Sequence, residues 1–135
     1  MSLEAIVLAR NQNPAVVSRT VSASGSMNAG TYRGDLAITG SGFLEQISVY
    51  LDLSTLALTH ALVTVDGGTA YIVGCDQTVA PTSAMHVSTA TNSHGAAIFL
   101  GKVRFRRSLS ISIYLSSSAT NPDTVSSAIT YSLTT

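Results

Sequence analysis

The sequence predicts an all-β fold: an antiparallel β-sandwich, jelly-roll-like, with about eight to ten strands. Three observations carry it. Apolar residues recur at every second position in several segments, the period of a half-buried strand. Glycine, aspartate, asparagine and proline cluster between those segments, where turns need them. No window long enough for a stable helix combines a 3.6-residue period with caps at both ends.

Residues 1–14 carry a short apolar run, Ala5–Ala9, and close in Asn11-Gln12-Asn13-Pro14. They are expected to form an N-terminal arm or a peripheral strand, and residues 15–135 a single sandwich domain. Strands are expected at Ala15–Ala23 and Asp35–Thr39. Gly40-Ser41-Gly42 marks a turn into the strand Phe43–Leu51, where Phe43, Ile47, Val49 and Leu51 share one face and Gln46 and Ser48 the other. Glu45 is the residue least expected there; it is to pair with an arginine or face an edge. Leu51–His60 reads as one short helical turn or as loop. Thr59–Val65 and Ala70–Val73 flank Asp66-Gly67-Gly68, a strong type I′ hairpin signal.

Residues 74–96 are polar, contain Pro81 and Gly95, and read as a long loop with a short strand candidate at Met85–Ser88. From Ala97 to Arg107, Phe99, Val103 and Phe105 face one side, and Lys102, Arg104 and Arg106 the other. Ser108–Ser116 alternates almost strictly, with Leu109, Ile111, Ile113 and Leu115 inward. Asn121-Pro122-Asp123 marks a last turn. Thr124–Leu133 then places Val125, Ile129 and one of Tyr131 or Leu133 inward. The same strand rhythm suits an immunoglobulin-like sandwich as well as a jelly roll.

Composition removes several classes of function. The 135 residues are 45% hydrophobic and only 10% charged, with seven basic and seven acidic residues and no net charge. Such a chain has the material for a core and is not of the disordered type. It lacks the positive excess of a phosphate-neutralising nucleic-acid binder. One cysteine, Cys75, cannot make a disulfide framework. No apolar run approaches a membrane span, and no secretory leader is expected at the N-terminus. The 20 serines and 16 threonines exceed a quarter of the chain. A neutral surface of this kind favours self-association, which suits an assembly subunit.

Catalytic and metal chemistry find little support, and the chain is expected not to be an enzyme. His60, His86 and His94 have no metal-ligand spacing; a set of Cys75, His86 and His94 matches no common pattern. Asp35, Asp66 and Asp123 read as turn residues, and no pair among the seven carboxylates is marked out for acid–base work. Gly40-Ser41-Gly42 is too short for a nucleophile elbow and precedes a strand. No cofactor is implied. The charge feature with shape is the cluster Lys102, Arg104, Arg106 and Arg107, four of the seven basic residues. It reads as a solvated face or as a docking surface for an acidic protein patch, since the arginine fork pairs with carboxylates. Tyr50, Tyr71 and Tyr114 are candidate aromatic anchors.

A Gly-rich turn leads into Gly42-Phe43-Leu44-Glu45-Gln46-Ile47-Ser48-Val49-Tyr50. An apolar strand ends in Val65-Asp66-Gly67. An apolar-basic strand runs through Val103-Arg104-Phe105-Arg106-Arg107-Ser108-Leu109-Ser110-Ile111, and a last one ends in Ile129-Thr130-Tyr131. Over residues 40–133 this rhythm resembles the small β-sandwich structural proteins of tailed bacteriophages: capsid decoration (cement) proteins, head and neck fibres and tail-tip modules. The resemblance implies a non-enzymatic virion protein, made in the bacterial cytoplasm. It also implies a homo-oligomer, a trimer before other states, that binds a phage capsid or tail protein and neither nucleic acid nor membrane. Capsid decoration is the first expectation; the alternative is a receptor- or carbohydrate-binding jelly roll of a tail or fibre.

Overall fold

The computed structural model describes residues 16–74 and 93–134. The expected N-terminal arm, the strand candidates Ala5–Ala9 and Met85–Ser88, and the residues Cys75, Asp76 and His86 lie outside them. Among the described residues eight strands follow one another: β1 (Val16–Met27), β2 (Thr31–Thr39), β3 (Ser41–Leu51), β4 (Thr59–Val65), β5 (Ala70–Gly74), β6 (Gly95–Phe105), β7 (Ser108–Leu115) and β8 (Asp123–Thr134). A single 3-10 turn, Leu56–Leu58, precedes β4, where the sequence left a short helical turn open. Among the described residues no helix is long and apolar enough to cross a membrane.

The pairing is nested. β1 pairs with β8, β2 with β7, β3 with β6 and β4 with β5, all antiparallel. The chain is thus one long hairpin, doubled at the β4–β5 turn and then rolled up. Rolling lays β3 beside β8 and β4 beside β7. Two four-stranded sheets result, in the orders β1-β8-β3-β6 and β2-β7-β4-β5. That is the jelly-roll winding, so the topology decides between the two sandwiches that the strand rhythm allowed.

The sheets bury one face each against the other. The alternating side chains Leu109, Ile111, Ile113 and Leu115 of β7 are fully buried, as expected of their period. They meet Leu44, Ile47, Val49 and Leu51 of β3, Phe99 and Phe105 of β6, and Val125, Ile129 and Tyr131 of β8 within one core cluster. The β4–β5 turn forms as its sequence predicts. Asp66 and Gly67 both have positive φ, 55° and 69°, and the Gly68 N–H donates to the Val65 carbonyl at 3.0 Å.

Two β-bulges correct the expected faces. In β3 the register against both neighbours shifts between Leu44 and Gln46. Against β8 Glu45 is the extra residue, whereas against β6 it faces both Gly101 and Lys102, and it reverses the alternation on its N-terminal side. Leu44 therefore enters the core at 0% exposure, and Phe43, expected inward, lies on the outer face opposite Arg104. In β2 the extra residue is Asp35, between Gly34 and Leu36. Asp35 is not in a turn, because β2 begins at Thr31, four residues before the apolar pattern does.

That second bulge aims charge between the sheets. The Arg33 guanidinium donates to both Asp35 carboxylate oxygens, Nε to Oδ1 at 2.6 Å and Nη2 to Oδ2 at 3.0 Å. Its Nη1 crosses to the Val125 carbonyl of β8 at 2.8 Å, and the Ser127 hydroxyl of β8 donates to Asp35. The Asp35 side chain is only 1% exposed. A buried carboxylate needs such partners, since removing one strands the charge. Arg33→Ala is accordingly expected to destabilise the fold by about 3 kcal/mol in urea titration.

Gly42 shows how close the sheet packs: a Cβ there would lie 1.8 Å from the Ser132 carbonyl oxygen of β8. Gly42→Ala is expected to cost more than about 4 kcal/mol, read as loss of soluble protein or a collapse of the melting temperature.

Candidate functional site

The winding sends the β2–β3, β4–β5 and β6–β7 connections to one end of the sandwich, and the β1–β2, β3–β4 and β7–β8 connections to the other. One aspartate fastens each end. At the first end Asp66 Oδ1 accepts the backbone N–H groups of Arg106 (2.9 Å), Arg107 (2.6 Å) and Ser108 (3.1 Å). Arg107 Nη2 also donates to the Asp66 carbonyl at 3.2 Å. The Asp66 carboxyl is held below the usual carboxylate range, first by the Arg107 N–H and then by that of Ser108.

At the opposite end Asp123 accepts the N–H groups of Leu53 (3.0 Å) and Ser54 (2.8 Å). Burial pushes the pKa of this carboxyl up most strongly, but the Ser54 hydroxyl and the backbone donors together outweigh it and hold the group below its ordinary value.

The expected docking residues gather at the Asp66 end and along the edge strand β6. Lys102 Nζ and the Arg104 guanidinium flank the Phe43 ring, 5.4 Å and 5.9 Å from its centroid. Arg106 and Arg107 form the β6–β7 turn that Asp66 holds. The four residues are exposed, but they are not one row: β6 ends at Phe105, so Arg106 leaves the strand face that the alternation gave it. The Glu45 bulge is what moves Phe43 out to meet Lys102 and Arg104. The result is a basic patch with an aromatic floor, reaching round from the sheet face to the end of the sandwich.

A second surface escaped the sequence reading. The outer face of the first sheet forms an open groove of about 990 Å³, lined among others by Ser22, Ser24, Gln46, Ser48, Tyr50 and His94. Among the described residues no lysine, arginine, aspartate or glutamate lines it. Tyr50 stands 52% exposed at its side, and His94 is fixed by Nδ1, which lies 2.9 Å from the Ser54 carbonyl oxygen. The available signal was the serine at alternate positions of β1, which needs the register with β8 and β3 before it becomes a surface. Of the other candidate anchors, Tyr114 stacks between Tyr32 and buried His60 on the second sheet, and Tyr71 is half-buried on β5.

Three of the acids that might have served catalysis have structural partners: Asp35, Asp66 and Asp123 are tied as described. Among the described residues no group of three or more histidine, cysteine, aspartate or glutamate side chains is placed to hold a metal ion.

An eight-stranded jelly roll is an architecture that viral capsid and lectin domains share. No family model matches the chain, and no curated protein does. Solved structures do. The chain is similar to the VP2 subviral particle of infectious bursal disease virus, with a TM-score of 0.53 and 11% identity over 90% of this chain. It is similar also to the Gx strain structure of that virus, with a TM-score of 0.51 and 11% identity over 90% of this chain. The chain spans 33% of the length of each of these. At such identity the likeness establishes the fold.

The two aspartates set an acid limit. A carboxyl with a depressed folded pKa stabilises the fold fully above its unfolded value, near 4, and stops doing so as pH falls through the folded value. Stability measured by urea titration is therefore expected to hold from pH 7 to about 5 and to fall below about 4. The double variant Asp66→Asn/Asp123→Asn is expected to be less stable at pH 7 and to lose less on acidification. Equal losses in both proteins would remove these carboxylates from the account.

Proposed function

We propose that the chain is a non-enzymatic structural protein of a virus particle, and within that class a capsid decoration protein of a tailed bacteriophage. The observation that carries the reading is the fold itself: 90% of the chain superposes on the VP2 subviral particle of infectious bursal disease virus. The side chains support it. Asp35, Asp66 and Asp123 are occupied in holding the sandwich, and the outer faces carry serine and threonine with little charge. The chain would be made in the bacterial cytoplasm and reside in the virion.

Its mechanism would be adhesion. Lys102, Arg104, Arg106 and Arg107 would dock on acidic patches of neighbouring shell subunits, and self-association would add many weak contacts together. The test is co-sedimentation of the purified chain with particles from the source culture, followed with an antibody to the chain. The chain is expected to band with the particles. The Arg104→Ser/Arg106→Ser variant is expected to lose at least tenfold in occupancy with an unchanged melting temperature. Unchanged occupancy would remove the basic patch from docking, and absence of the wild type from particles would contradict the role.

The groove favours a second reading, a receptor- or carbohydrate-binding module of a tail or fibre. Uncharged hydroxyl and amide groups beside an exposed Tyr50 ring suit a neutral sugar. A glycan-array signal lost in Tyr50→Ala would favour it, and an empty array would exclude it.

A further inference from the structure

We propose that the outer edge of β1 is an assembly edge, which pairs antiparallel with β1 of a second copy of this chain and joins two four-stranded sheets into one of eight. The two sheets have four edges, β1, β6, β2 and β5. An unpaired edge offers a row of backbone donors and acceptors to any other chain. Natural proteins blunt such edges with short strands, bulges, proline, lysine or inward-pointing charge.

Three edges here carry these devices. β5 has five described residues, Ala70–Gly74. β6 bears Lys102 and Arg104 and is bulged where Gly101, at φ 154°, and Lys102 face Glu45. β2 is bulged at Asp35 and turns Arg33 and Asp35 inward.

β1 is the least protected: its one such device is Arg19, on the inner face and exposed to solvent. Its twelve residues pair with β8 without a register shift, contain no proline and include one charge, Arg19. Val17, Ser18, Arg19 and Thr20 are all exposed, Val17 to 41%, so none of the described residues covers this flank.

The occupant follows from self-complementarity. In an antiparallel register centred on Ser22, side chains of like face meet. On the outer face Ser22 meets Ser22 of the second copy, Thr20 meets its Ser24, and Ser18 its Ser26. Every pair is hydroxyl to hydroxyl. β1 already makes this kind of pair with β8, through Thr20–Thr130 at 3.1 Å and Ser24–Ser126 at 2.8 Å. A hydroxyl with one donor and two acceptor sites can extend such a chain. On the inner face Val17 meets Met27 and Val21 meets Ala23, apolar against apolar. Arg19 meets Gly25, so no two like charges oppose. The pairing is two-fold and isologous.

This inference does not depend on the particle reading. Light scattering after size-exclusion chromatography tests it over a range of concentrations. The intact chain is expected at twice its 14.0 kDa mass, with dissociation on dilution. Ser22→Lys sets two lysines against each other on the two-fold axis and is expected to be monomeric at the same concentration, with an unchanged circular dichroism spectrum. Ser110→Lys, exposed on the central strand β7 of the other sheet, is expected to remain dimeric. A wild-type monomer at every concentration would overturn the proposal, as would a Ser22→Lys dimer. A stable trimer would overturn it too, and would leave the particle reading standing, because the phage resemblance implies a trimer.

Discussion

Everything in this molecule depends on its first described strand finding its last. The β1–β8 ladder joins residues more than a hundred apart in sequence, as the Thr20–Thr130 contact shows. The other pairs nest inside it. Among the described residues the helical structure is the 3-10 turn Leu56–Leu58, and the closing ladder brings together the first and last described strands. Such non-local topology folds slowly. What holds the roll once formed is a buried core in the middle and one carboxylate at each end. Asp66 gathers three amides of the β6–β7 turn, and Asp123 gathers two of the β3–β4 connection. The Arg33–Asp35 pair then ties β2 to β8 across the space between the sheets. These interactions are polar and sit at the margins of the core, where backbone groups would otherwise lack partners.

The period-two pattern made most strands legible, β7 above all, and the Asp-Gly pair gave its hairpin down to the signs of φ. The bulges were not legible. A bulge leaves the composition of a strand intact and changes only its phase, so Phe43 and Asp35 were misplaced by reasoning that was otherwise correct. Glu45 did carry a signal, since a carboxylate among inward positions conflicts with the pattern. The resolution was an extra residue rather than a partner. Ser127 is a similar case: a serine between inward Val125 and Ile129 marks a polar contact across the core, but its acceptor, Asp35, lies some ninety residues earlier. The candidate surfaces were legible in part. The basic cluster could be read from spacing, whereas the neutral groove exists only once β1, β8, β3 and β6 are laid side by side.

The chemistry of the surface agrees with the proposed role. Charge is scarce, and among the described residues much of it does structural work, as at Arg33, Asp35, Asp66 and Asp123, or forms the basic patch. The remaining exposed faces are rich in serine and threonine, which hydrogen-bond readily and repel little. A free-standing protein gains from net charge that keeps copies apart. A subunit of a larger assembly gains from its absence. The strand with the least protection, β1, belongs to the sheet that also holds the groove and the basic edge, so assembly through it would set two such faces side by side.

The most direct test of this account is amide hydrogen exchange, followed strand by strand at low and at high protein concentration. The account predicts slow exchange in the central strands β8, β3, β7 and β4 at both concentrations, and protection of β1 that rises with concentration. Exchange in β1 that is indifferent to concentration, or central strands no better protected than the edges, would contradict it.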